Sequence, residues 1–167
     1  MYLQQGILNL SESTELFFKG FGGLVSLALL MVFAFAIGDT AKELGTGVYV
    51  AGVAKTVLSP VLVPLVLFLL ACFIAFSTGT SWGTFGIMIP IAIPMAQTLG
   101  VHEPLAIAAV LGGGIFGDHC SPISDTSIIA SMASASDHID HVKTQLPYAA
   151  TVAGVSVVFY IIAGFVV

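Results

Sequence analysis

Gly112-Gly113-Gly114-Ile115-Phe116-Gly117-Asp118-His119-Cys120-Ser121-Pro122-Ile123-Ser124-Asp125-Thr126 sets two carboxylates, a run of glycines and a proline between two strongly apolar stretches. An isolated carboxylate near the centre of a bilayer costs roughly 2.5 to 17 kcal/mol, so such a group is usually buried against protein and used. The stretch therefore reads as an ion site inside a membrane, built on an interrupted helix.

The composition around it agrees. Of 167 residues, 57% are hydrophobic and 8% charged, against about 25% charged in soluble domains. With four lysines, no arginine and a net charge of −5, the chain lacks the basic face that neutralises phosphates, which excludes nucleic acid as a partner. Residues 1–19 hold Gln4, Gln5, Glu12 and Glu15 and lack the basic start and apolar core of a secretory signal, so no cleavable leader is expected. Cys72 and Cys120 lie in unlike settings and do not suggest a disulfide framework.

Apolar runs predict an all-α, polytopic membrane protein with discontinuous or re-entrant segments. Residues 1–20 read as an N-terminal interfacial segment and 21–167 as the membrane domain. Residues 21–38 are near the 20 or so needed for one span, and residues 146–167 supply a last one. Residues 60–76 and 84–99 are shorter runs around Ser77-Thr78-Gly79-Thr80-Ser81-Trp82-Gly83. A re-entrant hairpin is the preferred reading of that pair; two short spans, kinked at Pro90 and Pro94, are the alternative. Pro104 suits a helix start, and the glycines at 112–114 predict where that helix loosens, with helix resuming near Thr126 toward Ala135. A continuous helix over 104–135 would be about 48 Å long against a core of about 30 Å. Residues 137–145 read as a polar connection. The lysines divide evenly between the two sides and assign no orientation.

Several groups are candidates for the ion site. Carbonyls freed at residues 112–117, Gly117 included, face a cation favourably at the negative end of the first half-helix, and Asp118 adds a full charge. Ser124 suits an N-cap, and Asp125 beside it in the first turn, followed by Thr126, is stabilised as an anion by the positive end of the second half-helix, so Asp125 is expected to hold its charge more readily than Asp118. Ser77, Thr78, Thr80 and Ser81 offer hydroxyls to the same site, although small residues there also suit plain helix packing. Oxygen donors match Na⁺ or H⁺ rather than zinc, and His119-Cys120 is no zinc set. Asp39 with Lys42 and Glu43 ends a span, either as a solvated boundary or on the ion path. His138-Ile139-Asp140-His141 reads as a solvated cluster, with metal binding or pH sensing as alternatives.

Residues 114–126 as quoted, together with His138-Ile139-Asp140-His141-Val142, Gln145-Leu146-Pro147-Tyr148, Gly45-Thr46-Gly47 and Ser77-Thr78-Gly79-Thr80-Ser81-Trp82-Gly83-Thr84, resemble the NhaC-type Na⁺/H⁺ antiporter family, with the likeness spread over residues 33–148. The resemblance implies one repeat of an inverted-repeat secondary transporter in the cell membrane, exchanging Na⁺ for H⁺ without a cofactor. It also implies that the chain corresponds to the C-terminal half of a longer transporter. A missing N-terminal half, a partner half-transporter or a second copy would then complete it. Some relatives couple ions to organic acids or amino acids, which keeps cation-coupled carboxylate or amino-acid transport as an alternative; a non-transporting half that packs with a partner is a third reading. No nucleophile and base assemble into an enzyme site.

Overall fold

The computed structural model describes residues 9–166. The chain divides into two compact units, Met1–Phe33 and Ala34–Val167. Helix α1, Leu10–Glu43, begins in the first. Its start is a reciprocal cap in which the Asn9 side chain accepts from the Glu12 amide at 2.8 Å and Glu12 accepts from the Asn9 amide at 2.9 Å. The expected interfacial segment is thus helical from Leu10 onward, and its residues 1–8 lie outside the described residues.

In the second unit, Gly45 in the left-handed region separates the end of α1 from α2, Thr46–Val57. A 3-10 turn at Pro60–Leu62 leads into α3, Val63–Thr78, which is joined to α4, Ser81–Leu99, by Gly79 and Thr80 alone. Then come α5, Glu103–Cys120; α6, Asp125–Ala133; and α7, His138–Val166. No strand occurs among the described residues, and Pro60–Thr78, Ser81–Leu99 and His138–Val166 are long and apolar enough to cross a membrane by length and composition. The protein is an all-α membrane protein. The 19 residues in each of the first two extend about 29 Å, and Gly79 and Thr80 turn the first directly into the second as a helical hairpin. Pro90 and Pro94 sit inside α4 and do not end it.

Helix α5 does not loosen at residues 112–114. It runs unbroken to Cys120, with Pro104 in its first turn as expected, and the break falls at residues 121–124. The glycines serve packing instead. A Cβ on Gly113 would strike the Phe68 carbonyl and lie 2.9 Å from the Ala71 Cβ, and one on Gly117 would strike the Cys72 carbonyl and lie 2.8 Å from the Ala75 Cβ. Gly113 and Gly117, four residues apart on α5, thus face Ala71 and Ala75, four apart on α3. Apolar burial does not drive helices together in lipid; close van der Waals contact between small residues does. Around this seam lies the core of Leu67, Phe68, Met88, Ala92, Met95, Ala106, Ala109 and Val110.

Residues 137–145, expected as a polar connection, form the first turns of α7. Asp137 caps them, its Oδ1 accepting from the Ile139 and Asp140 amides at 2.9 and 3.1 Å. At the other end of α7, Tyr160 donates to the Ala108 carbonyl at 2.9 Å and packs on Phe68, ring centroids 5.1 Å apart. Helix α7 therefore runs from the break back toward the start of α5.

Candidate ion site

Two interruptions meet at one place. The turn between α3 and α4 places Gly79, at φ 70°, where a Cβ would lie 2.6 Å from the Ile123 carbonyl in the break between α5 and α6. Only glycine meets both demands without strain. Ser121 fastens the break to α3 by donating to the Phe76 carbonyl at 2.7 Å. Thr80 caps α4 through a long, 3.5 Å contact from the Gly83 amide, and its carbonyl accepts from Thr84 at 2.9 Å.

Asp118 lies in the middle, 2% exposed, and is the only buried Asp or Glu among the described residues. Its Oδ1 accepts from the Ser124 hydroxyl at 2.6 Å. Its Oδ2 accepts from Ser81 at 3.0 Å and from Thr126 at 3.2 Å. Ser124 and Thr126 touch at 2.9 Å, and Ser124 also caps α6 by accepting from the Ser127 amide at 3.2 Å. A serine or threonine hydroxyl has one hydrogen and two lone pairs. With the hydrogens of Ser81 and Ser124 spent on the carboxylate, that of Thr126 is shared between Asp118 and Ser124. Three hydroxyls from the starts of α4 and α6 therefore converge on one carboxylate in the last turn of α5. No group of three His, Cys, Asp or Glu side chains converges among the described residues.

The backbone adds its own field. Asp118 sits where the negative end of α5 favours a cation, facing the positive end of α6, which favours an anion. Such an all-oxygen set suits a hard cation such as Na⁺ and offers nothing soft for a transition metal.

Of the residues singled out in the sequence, the structure brings together Asp118, Ser81, Ser124 and Thr126. Thr80 is adjacent and occupied as a cap. Ser77 and Thr78 are exposed and donate back to the Phe73 and Ile74 carbonyls of their own helix at 2.7 and 2.9 Å. Asp125 is in the first turn of α6 as expected but exposed, outside the hydrogen-bonded cluster. His119 is exposed with Nδ1 2.7 Å from the Ile115 carbonyl, and Asp39 is exposed on α1. Gly117 contributes close packing, and the carbonyls of 112–117 belong to a helical stretch rather than to an open loop. Ser121 is a residue the sequence reading missed; a serine before proline between two helical stretches was its signal.

A buried carboxylate ringed by hydroxyls thus lies between a helix end and a helix start in an all-α membrane protein. The profile described as the Na⁺/H⁺ antiporter family matches residues 1–165, and the chain belongs to that family. An uncharacterized protein of Haemophilus influenzae is 41% identical over 159 residues, covering 95% of this chain and 31% of its own length. The malate-2H⁺/Na⁺-lactate antiporter of Bacillus subtilis is 36% identical over 104 residues, 59% of this chain and 22% of that protein. The Na⁺/H⁺ antiporter NhaC of Alkalihalophilus pseudofirmus is 37% identical over 76 residues, 45% and 16%. These matches span a third or less of the relatives' own lengths. No solved structure matches the chain.

Proposed function

We propose that this chain carries the ion site of a Na⁺/H⁺ antiporter, in which Asp118 binds Na⁺ and H⁺ in competition and Ser81, Ser124 and Thr126 supply the remaining oxygens. The observation behind this reading is the buried Asp118 carboxylate with three hydroxyls on it. Each hydroxyl can turn a lone pair toward a cation while keeping its place, because rotation about one bond is enough. Sodium on the carboxylate weakens proton binding, and linkage requires protons to weaken sodium by the same factor. Competition at one site is sufficient to couple the two flows. Asp125, Thr80, Ser77 and Thr78 then belong to the approach rather than to the first set of ligands.

The relatives are longer, so transport by the whole protein requires further helices. In this reading they come from the rest of a longer chain, a partner half-transporter or a second copy, in the cell membrane. The malate and lactate exchange of the Bacillus subtilis relative favours a second reading, exchange of a small carboxylate coupled to the same cations. The absence of arginine removes the usual bidentate clamp for such a substrate.

Reconstitution tests the reading. In proteoliposomes under a pH gradient, added Na⁺ is expected to move protons where K⁺ does not, and the Asp118→Asn chain is expected to abolish the signal. Silence from well-inserted wild type would assign transport to the longer assembly, whereas a signal unchanged in the variant would remove Asp118 from the mechanism.

A further inference from the structure

The histidine cluster at the start of α7 touches the break from behind. His138 Nε2 lies 2.7 Å from the Pro122 carbonyl, and its Nδ1 lies 3.3 Å from the hydroxyl of Ser131. One ring thus joins the break, α6 and α7, and the break it holds carries Ser124, the closest partner of Asp118. Ser131 is 1% exposed and already donates its single hydrogen to the Ile128 carbonyl at 2.8 Å.

Counting hydrogens decides what the ring must carry. A carbonyl only accepts, so Nε2 bears a hydrogen. With that hydrogen in place a neutral ring has a bare Nδ1, which would need the Ser131 hydrogen and would take it from Ile128. All three bonds coexist only when Nδ1 also bears a hydrogen and donates to Ser131, that is, when His138 is an imidazolium. A neutral His138 gives up one bond on a buried hydroxyl.

We infer that His138 is a positioning residue that latches the break between α5 and α6, closing fully when protonated and loosening when it loses that proton. Histidine is the side chain whose charge ordinarily changes between pH 5 and 8. The surrounding charged and titratable groups do not replace it. On α5, Asp118 is engaged by hydroxyls, His119 is turned to its own helix and Cys120 is buried; Cys72 is the α3 member. On α6, Asp125 is exposed. On α7, Asp137 caps the helix and Asp140 and Lys143 form an exposed pair at 4.0 Å, with His141 beside them. None of these hydrogen-bonds to His138 among the described residues. This latch stands whether or not Asp118 carries sodium; its bearing on transport rests on the proposed function.

Hydrogen exchange of the full chain in sodium-free lipid nanodiscs tests it without requiring transport. After correction for intrinsic exchange, the amides of Ser121, Ile123 and Ser124 are expected to be about tenfold better protected at pH 5 than at pH 8, the scale of one hydrogen bond to a charged group. His138→Gln, which keeps a donor for Pro122 but does not titrate, is expected to flatten the profile, and so is Ser131→Ala, which leaves His138 in place. Asp118→Asn is expected to keep the step. A flat wild-type profile would overturn the latch. So would a step that survives in His138→Gln, and a step lost in Asp118→Asn alone would transfer control of the break to the ion site.

Discussion

Replacing Asp118 by asparagine is expected to weaken sodium binding at pH 8 by at least about thirtyfold, the equivalent of about 2 kcal/mol. The change preserves shape but removes the only buried acidic charge among the described residues. It also reverses one set of bonds. Ser81 and Thr126 both donate to Oδ2; an amide nitrogen in that place donates instead, so both hydroxyls must rotate to accept, turning away lone pairs a cation would use. If the amide flips, Ser124 must make the same change. Asp125→Asn is the internal contrast. Exposed and outside the cluster, Asp125 acts on the ion only at a distance through screening solvent, and its loss is expected to change affinity by about twofold or less. Isotope-exchange titration with radioactive sodium on both purified variants measures the two numbers. Equal losses would restore Asp125 to the site that the sequence assigned it.

Gly117→Val is expected to cost about 3 kcal/mol of fold stability, the upper part of the usual range for overpacking a tight interface. Whatever is added at this position meets the α3 backbone at the Cys72 carbonyl and the Phe76 nitrogen, the latter at 2.7 Å, and the Ala75 Cβ at 2.8 Å. No flexible side-chain end is available to move aside, so α3 and α5 must separate. Asp118 is the next residue and Ser121 is tied to Phe76 on the same turn of α3, so sodium binding is expected to fall along with stability. Gly154→Ala on α7, where a Cβ meets nothing within 4 Å, is expected to stay within about 0.5 kcal/mol. Denaturation midpoints in mixed micelles compare the two. A Gly117→Val protein as stable as wild type would mean that the α3–α5 seam is not close-packed.

The glycine run shows where sequence reading reaches its limit. In water, glycine costs about 1 kcal/mol relative to alanine inside a helix, so four of them near a carboxylate look like a break. In an apolar surrounding the backbone has no water to turn to, and leaving the helix strands its polar groups. Helix α5 accordingly stays intact, and absence of a side chain becomes a means of approach to α3. The actual break falls three residues after Asp118, where Pro122 has no amide to give and Ser124 starts the next helix. That cap, Asp118 itself, the start at Pro104 and the meeting of the serine-rich turn with the break were legible, because each rests on local chemistry. Which hydroxyl of the turn reaches Asp118 was not: Ser77, Thr78, Thr80 and Ser81 are alike in composition, and only the helix phase turns Ser81 inward. The polar segment before the last span was misread for a related reason. His138 and Asp140 look like loop residues one at a time, yet Asp137 caps them into α7, and the partners of His138 are 16 and 7 residues away in sequence.

Sodium addition to the purified chain in weakly buffered solution, with a pH indicator reporting released protons, tests the competition at Asp118 most directly. Wild type is expected to release protons as sodium binds, approaching one per ion where the site starts protonated, with apparent affinity rising up to about tenfold per pH unit in that range. Asp118→Asn is expected to release none. Sodium binding with no proton release, or equal release from the variant, would contradict the account.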